Sequence, residues 1–155
     1  MQTHGQETRV TGSVDFEQLV RAMGDAVVVA DNSGAIRLWN AAAVRLFGFS
    51  EAEALGQPLD LIIPERLRGR HNEGYAKTVA TATTRYGDSL LRVPALHKDG
   101  RAMSIAFTVA MLTDSQGQVQ GVAAVIRDDT TRFNEDRAMR RRIAELEQIA
   151  ARTAA

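Results

Sequence analysis

The run AVVVADNSGAIRLW at residues 26–39 constrains the fold more than any other stretch. Two β-rich segments, 26–30 and 35–39, flank Asp31, Asn32, Ser33 and Gly34, all of them turn-forming residues. So short a connection leaves no room for a crossover element, and the two segments pair antiparallel as a hairpin. A lone hairpin is marginal in water and has to pack against further strands or helices.

The rest of the chain supplies both. A short helix starting at Ser13, with Val14, Phe16, Leu19, Val20 and Met23 apolar, leads into the hairpin. Asn40 is placed to cap a helix that stops at Gly48, and Ser50 with Glu53 forms the S-x-x-E capping box of another. After the apolar stretch LDLIIP comes a longer helix over about residues 65–82, with glycines at 69 and 74. Residues 89–97 read as a strand, and the turn Lys98-Asp99-Gly100-Arg101 leads to residues 102–112. There Met103, Ile105, Phe107, Val109 and Met111 alternate with smaller residues, giving one large-residue face. A turn over 114–117 precedes a near-continuous apolar strand over 119–126. The expected fold is α+β: a five-stranded antiparallel sheet with short helices inserted after strand 2, and flanking helices at both ends.

Three segments are expected. Residues 1–12 are polar and form a disordered leader, 13–130 form the domain, and 131–155 form a charged helix. In that helix Met139, Ile143, Leu146 and Ala150 follow at spacings of 4, 3 and 4, the seam of a short coiled coil. Asp128 and Thr130 stand where strand gives way to helix, and either can cap it.

Composition removes several functions. The 19 Lys+Arg balance 19 Asp+Glu, without the basic excess of a dedicated nucleic-acid binder. With Cys 0 there is no disulfide framework, thiolate metal site, cysteine nucleophile or cysteinyl cofactor adduct. No apolar run approaches the roughly 18 residues of a membrane span, and the polar start MQTHGQETRVTG has no signal-peptide pattern. A soluble, reducing, cytoplasmic setting is expected. No Ser/His/Asp arrangement, metal-ligand cluster or phosphate-binding glycine loop is visible, so no enzymatic activity is expected.

The run from Asp15 to Thr130 resembles a PAS sensory domain. AVVVADNSGAIRLWNAAAVRLFGFSEAEALGQPL is similar to its opening hairpin and short helices, HKDGR to the turn before its fourth strand, and VIRDDT to the Asp-x-Thr that closes the domain. Such domains bind haem, flavin, small acids or nothing. The helix segment RGRHNEGYAKT further resembles the haem-binding helix of FixL-type oxygen sensors, which implies that His71 is the proximal ligand of haem b.

The residues give physical support to that implication. Neutral imidazole is a good donor to haem iron and buries no charge. On a helix, Leu67, His71, Gly74, Tyr75 and Thr78 fall on one stripe, and Gly74 leaves space beside the histidine for a flat macrocycle. Ile105, Phe107 and Val109 would form the opposite apolar wall. By resemblance, Lys77 and Arg85 match the positions that contact the haem propionates, where cations give charge-assisted hydrogen bonds. The resemblance also places Leu91 where FixL-type sensors carry the arginine that reaches bound oxygen, with Arg92 adjacent. Either a bulge brings Arg92 inward, or the distal pocket is apolar. Met103 is either a displaceable sixth ligand or core filling. His97, expected to be exposed, and His4, in the leader, are not persuasive ligands.

The expected function is a haem-based sensor of oxygen, carbon monoxide or nitric oxide. Its ligand state passes through the C-terminal helix to an output domain or partner, in a homodimer formed by the flanking helices. A cofactor-free dimerising PAS module and a noncovalent flavin redox sensor are the alternatives.

Overall fold

The computed structural model describes residues 12–84 and 87–155, so the expected leader, apart from Gly12, and Arg85 lie outside the described residues. The first helix, α1 (Phe16–Ala22), is capped by Asp15, whose carboxylate accepts from the Gln18 amide at 2.9 Å. Strands β1 (Ala26–Asp31) and β2 (Ile36–Trp39) pair antiparallel as the turn residues dictate. Asp31 builds that turn, accepting from the Ser33 hydroxyl and from the amides of Ser33 and Ala35. Its hydrogen bonds to Ser33 and Arg37 hold its carboxyl down at about 2.

Next come α2 (Ala41–Phe47), α3 (Glu51–Ala54), a 3-10 turn (Leu59–Ile62) and α4 (Glu65–Thr81). The last three strands are β3 (Leu91–Leu96), β4 (Ala102–Thr113) and β5 (Val119–Asp128), and α5 (Thr130–Ala154) ends the chain. The sheet order is β2-β1-β5-β4-β3, with every neighbouring pair antiparallel. β5 therefore lies in the middle, between the opening hairpin and β4. Where it passes β1, a Cβ on Gly121 would stand 2.7 Å from the Ala30 carbonyl oxygen, so only glycine fits at that crossing.

The core lies between the sheet and the short helices, with Ile36, Trp39 and Phe47 completely enclosed. The Trp39 and Phe47 rings stand 5.3 Å apart, and the Trp39 indole N–H donates to the Phe49 carbonyl at 3.0 Å. Ser50 and Glu53 form the expected capping box. Gly48 ends α2 in the left-handed region at φ 83°, and a Cβ there would meet His97 Cε1 at 2.6 Å. His97 is thus wedged against the α2 terminus with its side chain 15% exposed, not displayed on the surface as its turn position suggested. Lys98 fixes the same corner: its amide donates to the Phe47 carbonyl and its ammonium to Glu53 at 2.6 Å.

Candidate functional site

Register decides which strand residues share a face. Leu91, Val93 and Ala95 of β3 stand opposite Phe107, Ile105 and Met103 of β4, while Phe107 and Val109 stand opposite Ile126 and Ala124 of β5. Directly paired side chains lie on the same side of a sheet, so all of these belong to the inner face. Burial falls along it. Met103 and Ile105 are buried in the core, whereas Leu91, Phe107 and Val109 are only half-buried.

No residue of helix α4 is buried. Its first turn borders a groove lined by Pro64, Glu65, Arg66, Arg68 and Leu96, and further along Tyr75 reaches the end of β1. The Tyr75 hydroxyl donates to the Asp31 carbonyl at 2.6 Å. Leu67, His71, Tyr75 and Thr78 are half-buried, so the stripe expected from helical spacing exists. Gly74 is not part of it. It is exposed, and a Cβ there would meet nothing within 4 Å, so the helix does not need glycine for contact with the rest of the chain.

His71 Nδ1 lies 3.3 Å from Asn72 Oδ1. In the tautomer that carries its proton on Nδ1, His71 donates to this amide oxygen and keeps the Nε2 lone pair for a metal. The Tyr75 ring, 6.0 Å away centroid to centroid, flanks it one turn on. Burial, with a smaller contribution from the Asp31 charge, pushes the Tyr75 phenol up to about 12. Because the folded state keeps that proton while the unfolded chain loses it near 10, the stability Tyr75 contributes is complete below pH 10 and is lost as pH rises toward 12. A near-ultraviolet absorbance titration of wild type minus Tyr75→Phe should give a midpoint well above 10; an ordinary midpoint would show the hydroxyl to be solvated.

The other expected site residues divide. Leu91, Ile105, Phe107 and Val109 share the inner face, and Lys77 is exposed on α4. Arg92 is a correction. The β3–β4 ladder runs from Leu91 to Leu96 without a register shift, so no bulge turns Arg92 inward. It stands opposite Ala106 on the outer face and pairs with Asp129 at 3.6 Å. Met103 is 7% exposed within the core cluster, as expected of a packing residue. Among the described residues, no group of three or more His, Cys, Asp or Glu is arranged to hold a metal ion.

The PAS fold family matches residues 15–128. The chain belongs to that family. A protein of Azorhizobium caulinodans is 34% identical to this PAS domain over 118 residues, 76% of the chain and 16% of the relative. The sensor protein FixL of Bradyrhizobium diazoefficiens is 40% identical over 62 residues, 40% of the chain and 12% of FixL. The chain thus spans less than a fifth of either relative's length. Among solved structures, the PAS domain of a Colwellia psychrerythraea protein superposes with TM-score 0.65 and 25% identity, covering 75% of this chain and 95% of that one. An RNA-binding Light-Oxygen-Voltage receptor superposes with TM-score 0.69 and 20% identity, covering 96% of this chain and 41% of the receptor.

The PAS domain hands over to α5 through a buried serine that no sequence signal marked. The Thr130 hydroxyl accepts from the Ser104 amide at 3.1 Å, and the Asp129 amide donates to the Ser104 carbonyl at 2.8 Å. Neither expected cap bonds into the helix in the usual way: Asp128 accepts from the Thr130 amide, while the Thr130 hydroxyl turns back to β4. The Asp129 carboxylate receives Arg132 through Nε and Nη2 at 2.8 and 2.6 Å, in addition to Arg92. The Arg132 hydrogen bonds hold its carboxyl below the usual range. The outer face of β3, next to Leu91, is therefore tied to the first turn of α5.

Proposed function

We propose that this PAS domain is a haem-based gas sensor, with His71 Nε2 as the proximal donor to haem b. The carrying observation is that His71 stands half-buried on a helix none of whose residues is buried, with Nδ1 3.3 Å from Asn72 Oδ1, while Leu91, Phe107 and Val109 of the inner sheet face are only half-buried. Identity with the FixL sensor protein supports the same reading. Leu91, Phe107 and Val109 would supply the apolar wall, and exposed Lys77 a cation for a propionate. Haem when bound supplies an iron that takes oxygen, carbon monoxide or nitric oxide. With Leu91 on the inner face and Arg92 outward, the wall that Leu91 would offer the gas is apolar, and Arg92 would not reach it. Met103, inside the core, would have to leave its packing to reach iron, so it fills space.

Ligand state would reach α5 through the sheet and the Ser104 junction, shifting a two-state equilibrium by differential contacts. The domain itself performs no catalysis, is cytoplasmic, contacts neither nucleic acid nor membrane, forms a homodimer through its flanking helices, and signals to an output domain or partner. Among the described residues no helix is long and apolar enough to cross a membrane.

Noncovalent flavin binding is the second reading, since the fold by itself does not select the cofactor. The test is the visible spectrum of protein purified from cells supplied with haem precursor, then reduced and exposed to each gas. A Soret band that shifts with gas is the expected result. A flavin spectrum would replace the haem reading with the second, and a featureless one would leave a cofactor-free PAS module.

A further inference from the structure

The tip of the opening hairpin is a fixed post. The Asp31 carboxylate accepts from the amides of Ser33 and Ala35, the Asn32 side-chain amide donates to the Val119 carbonyl at 2.7 Å, and the Leu59 amide donates to the Gly34 carbonyl at 3.1 Å. The tip is thus braced by the start of β5 and by the 3-10 turn as well as by its own turn bonds. A satisfied hydrogen-bond network of this kind rigidifies the segment that carries it.

Helix α4 is the opposite case. Its 17 residues include none that is buried. Its first turn is tied to the chain just before it, with the Leu67 amide on the Pro64 carbonyl at 2.8 Å and Arg68 Nε on the Ile63 carbonyl at 3.0 Å. Its last turn runs into Ala82, at φ 52° the one non-glycine residue with positive φ among the described residues, a conformation that alanine adopts under strain. Between these ends, and among the described residues, Tyr75 is the only residue of α4 whose side chain hydrogen-bonds to the sheet. Its hydroxyl lies 2.6 Å from the Asp31 carbonyl oxygen and 3.3 Å from that of Ala30. The ring rests beside Gly34, where a Cβ would come within 4.0 Å of Cε1.

His71 stands four residues before Tyr75, which puts both on one side of the helix, about 6 Å apart along its axis. A tilt or rotation of α4 that parts Tyr75 from Asp31 therefore carries His71 with it. We propose that the Tyr75 hydroxyl is a latch that positions His71: it closes α4 onto the hairpin tip, and its release lets the helix swing away about its first turn. The inference rests on the haem reading for what the histidine meets, and not for the latch itself. A helix held to the sheet by one side chain opens readily to admit a flat cofactor beside His71. Phenylalanine would fill the same space without a donor, so the hydroxyl is what separates a latch from a packing residue.

Tyr75→Phe in the full chain tests this, because the ring stays and the donor is lost. Amide hydrogen exchange without added cofactor should be about fivefold faster across residues 66–81 and unchanged in β1 and β5, as expected for the net loss of one hydrogen bond. His71 should also react faster with diethyl pyrocarbonate, read by mass spectrometry, with His97 as the unchanged internal standard. With haem supplied, the Soret band should remain while haem passes more quickly to excess apomyoglobin. Exchange and His71 reactivity equal to wild type would overturn the latch. So would faster exchange spread evenly over the sheet, which marks a loss of global stability. Neither of these two readouts needs a cofactor, so a featureless visible spectrum would overturn the haem reading while exchange and His71 reactivity still decide the latch.

Discussion

Replacing His71 with alanine should abolish the Soret band of haem-supplied protein while leaving the domain folded. The two halves of this expectation have separate causes. Loss of the band follows from removing the side chain proposed as the axial donor to the iron. Retention of the fold follows from the setting of His71. α4 has no buried residue, His71 meets Asn72 at 3.3 Å and the Tyr75 ring at 6.0 Å centroid to centroid, and alanine is a better helix former, so stability should change by less than about 1 kcal/mol. Added imidazole should restore part of the band by entering the space the side chain vacates. His97→Ala is the matched control, because His97 packs against Gly48 at the other end of the core and should leave the spectrum unchanged. A His71→Ala protein with the full wild-type band would remove His71 from the site.

The second large effect concerns Asn40, expected to cap α2 and found to do much more. The side chain is 3% exposed and makes four hydrogen bonds. Its oxygen accepts from the Val27 amide at 2.9 Å and the Ala43 amide at 3.0 Å, and its amide donates to the carbonyls of Val20 and Asp25, both at 3.0 Å. One residue thus caps α2, closes the end of α1 and holds the start of β1. Asn40→Ala should cost about 3–4 kcal/mol: roughly 1 for the lost cap and the rest for buried backbone groups left without partners. Asn40→Asp keeps the acceptor and loses both donors, so it should fall between. Urea unfolding should show a lower midpoint at unchanged slope, and a loss under about 1 kcal/mol for the alanine variant would mean that water replaces these bonds at little cost.

Features that depend on near neighbours in sequence were legible. Turn residues announced the opening hairpin, the capping box appeared at Ser50 and Glu53, and the alternation from Met103 to Met111 gave the inner face of β4. The candidate site was legible in part. Helical spacing brought Leu67, His71 and Tyr75 onto one stripe, but the same spacing admitted Gly74, which the structure leaves exposed. A stripe is defined to within about a third of a turn, and only packing shows where its edge falls.

Leu91 and Arg92 show the complementary limit. On a strand, adjacent residues take opposite faces, so the sequence offered two answers until the unbroken pairing with β4 chose one. The Ser104 junction had no signal at all. Ser104 lies 26 residues from Thr130, and its role exists only because Ile105 pairs opposite Asp128.

The sequence by itself determined the elements, their order, the apolar face of β4, and a histidine on a helix with a tyrosine one turn later, because each follows from backbone preference and side-chain period over a few residues. Only the tertiary structure decided that Arg92 lies on the outer face of the sheet, that Asn40 and Ser104 hold distant segments together, and that α4 buries none of its residues. Those facts depend on register and on hydrogen bonds between segments far apart in the chain, which local preference does not encode.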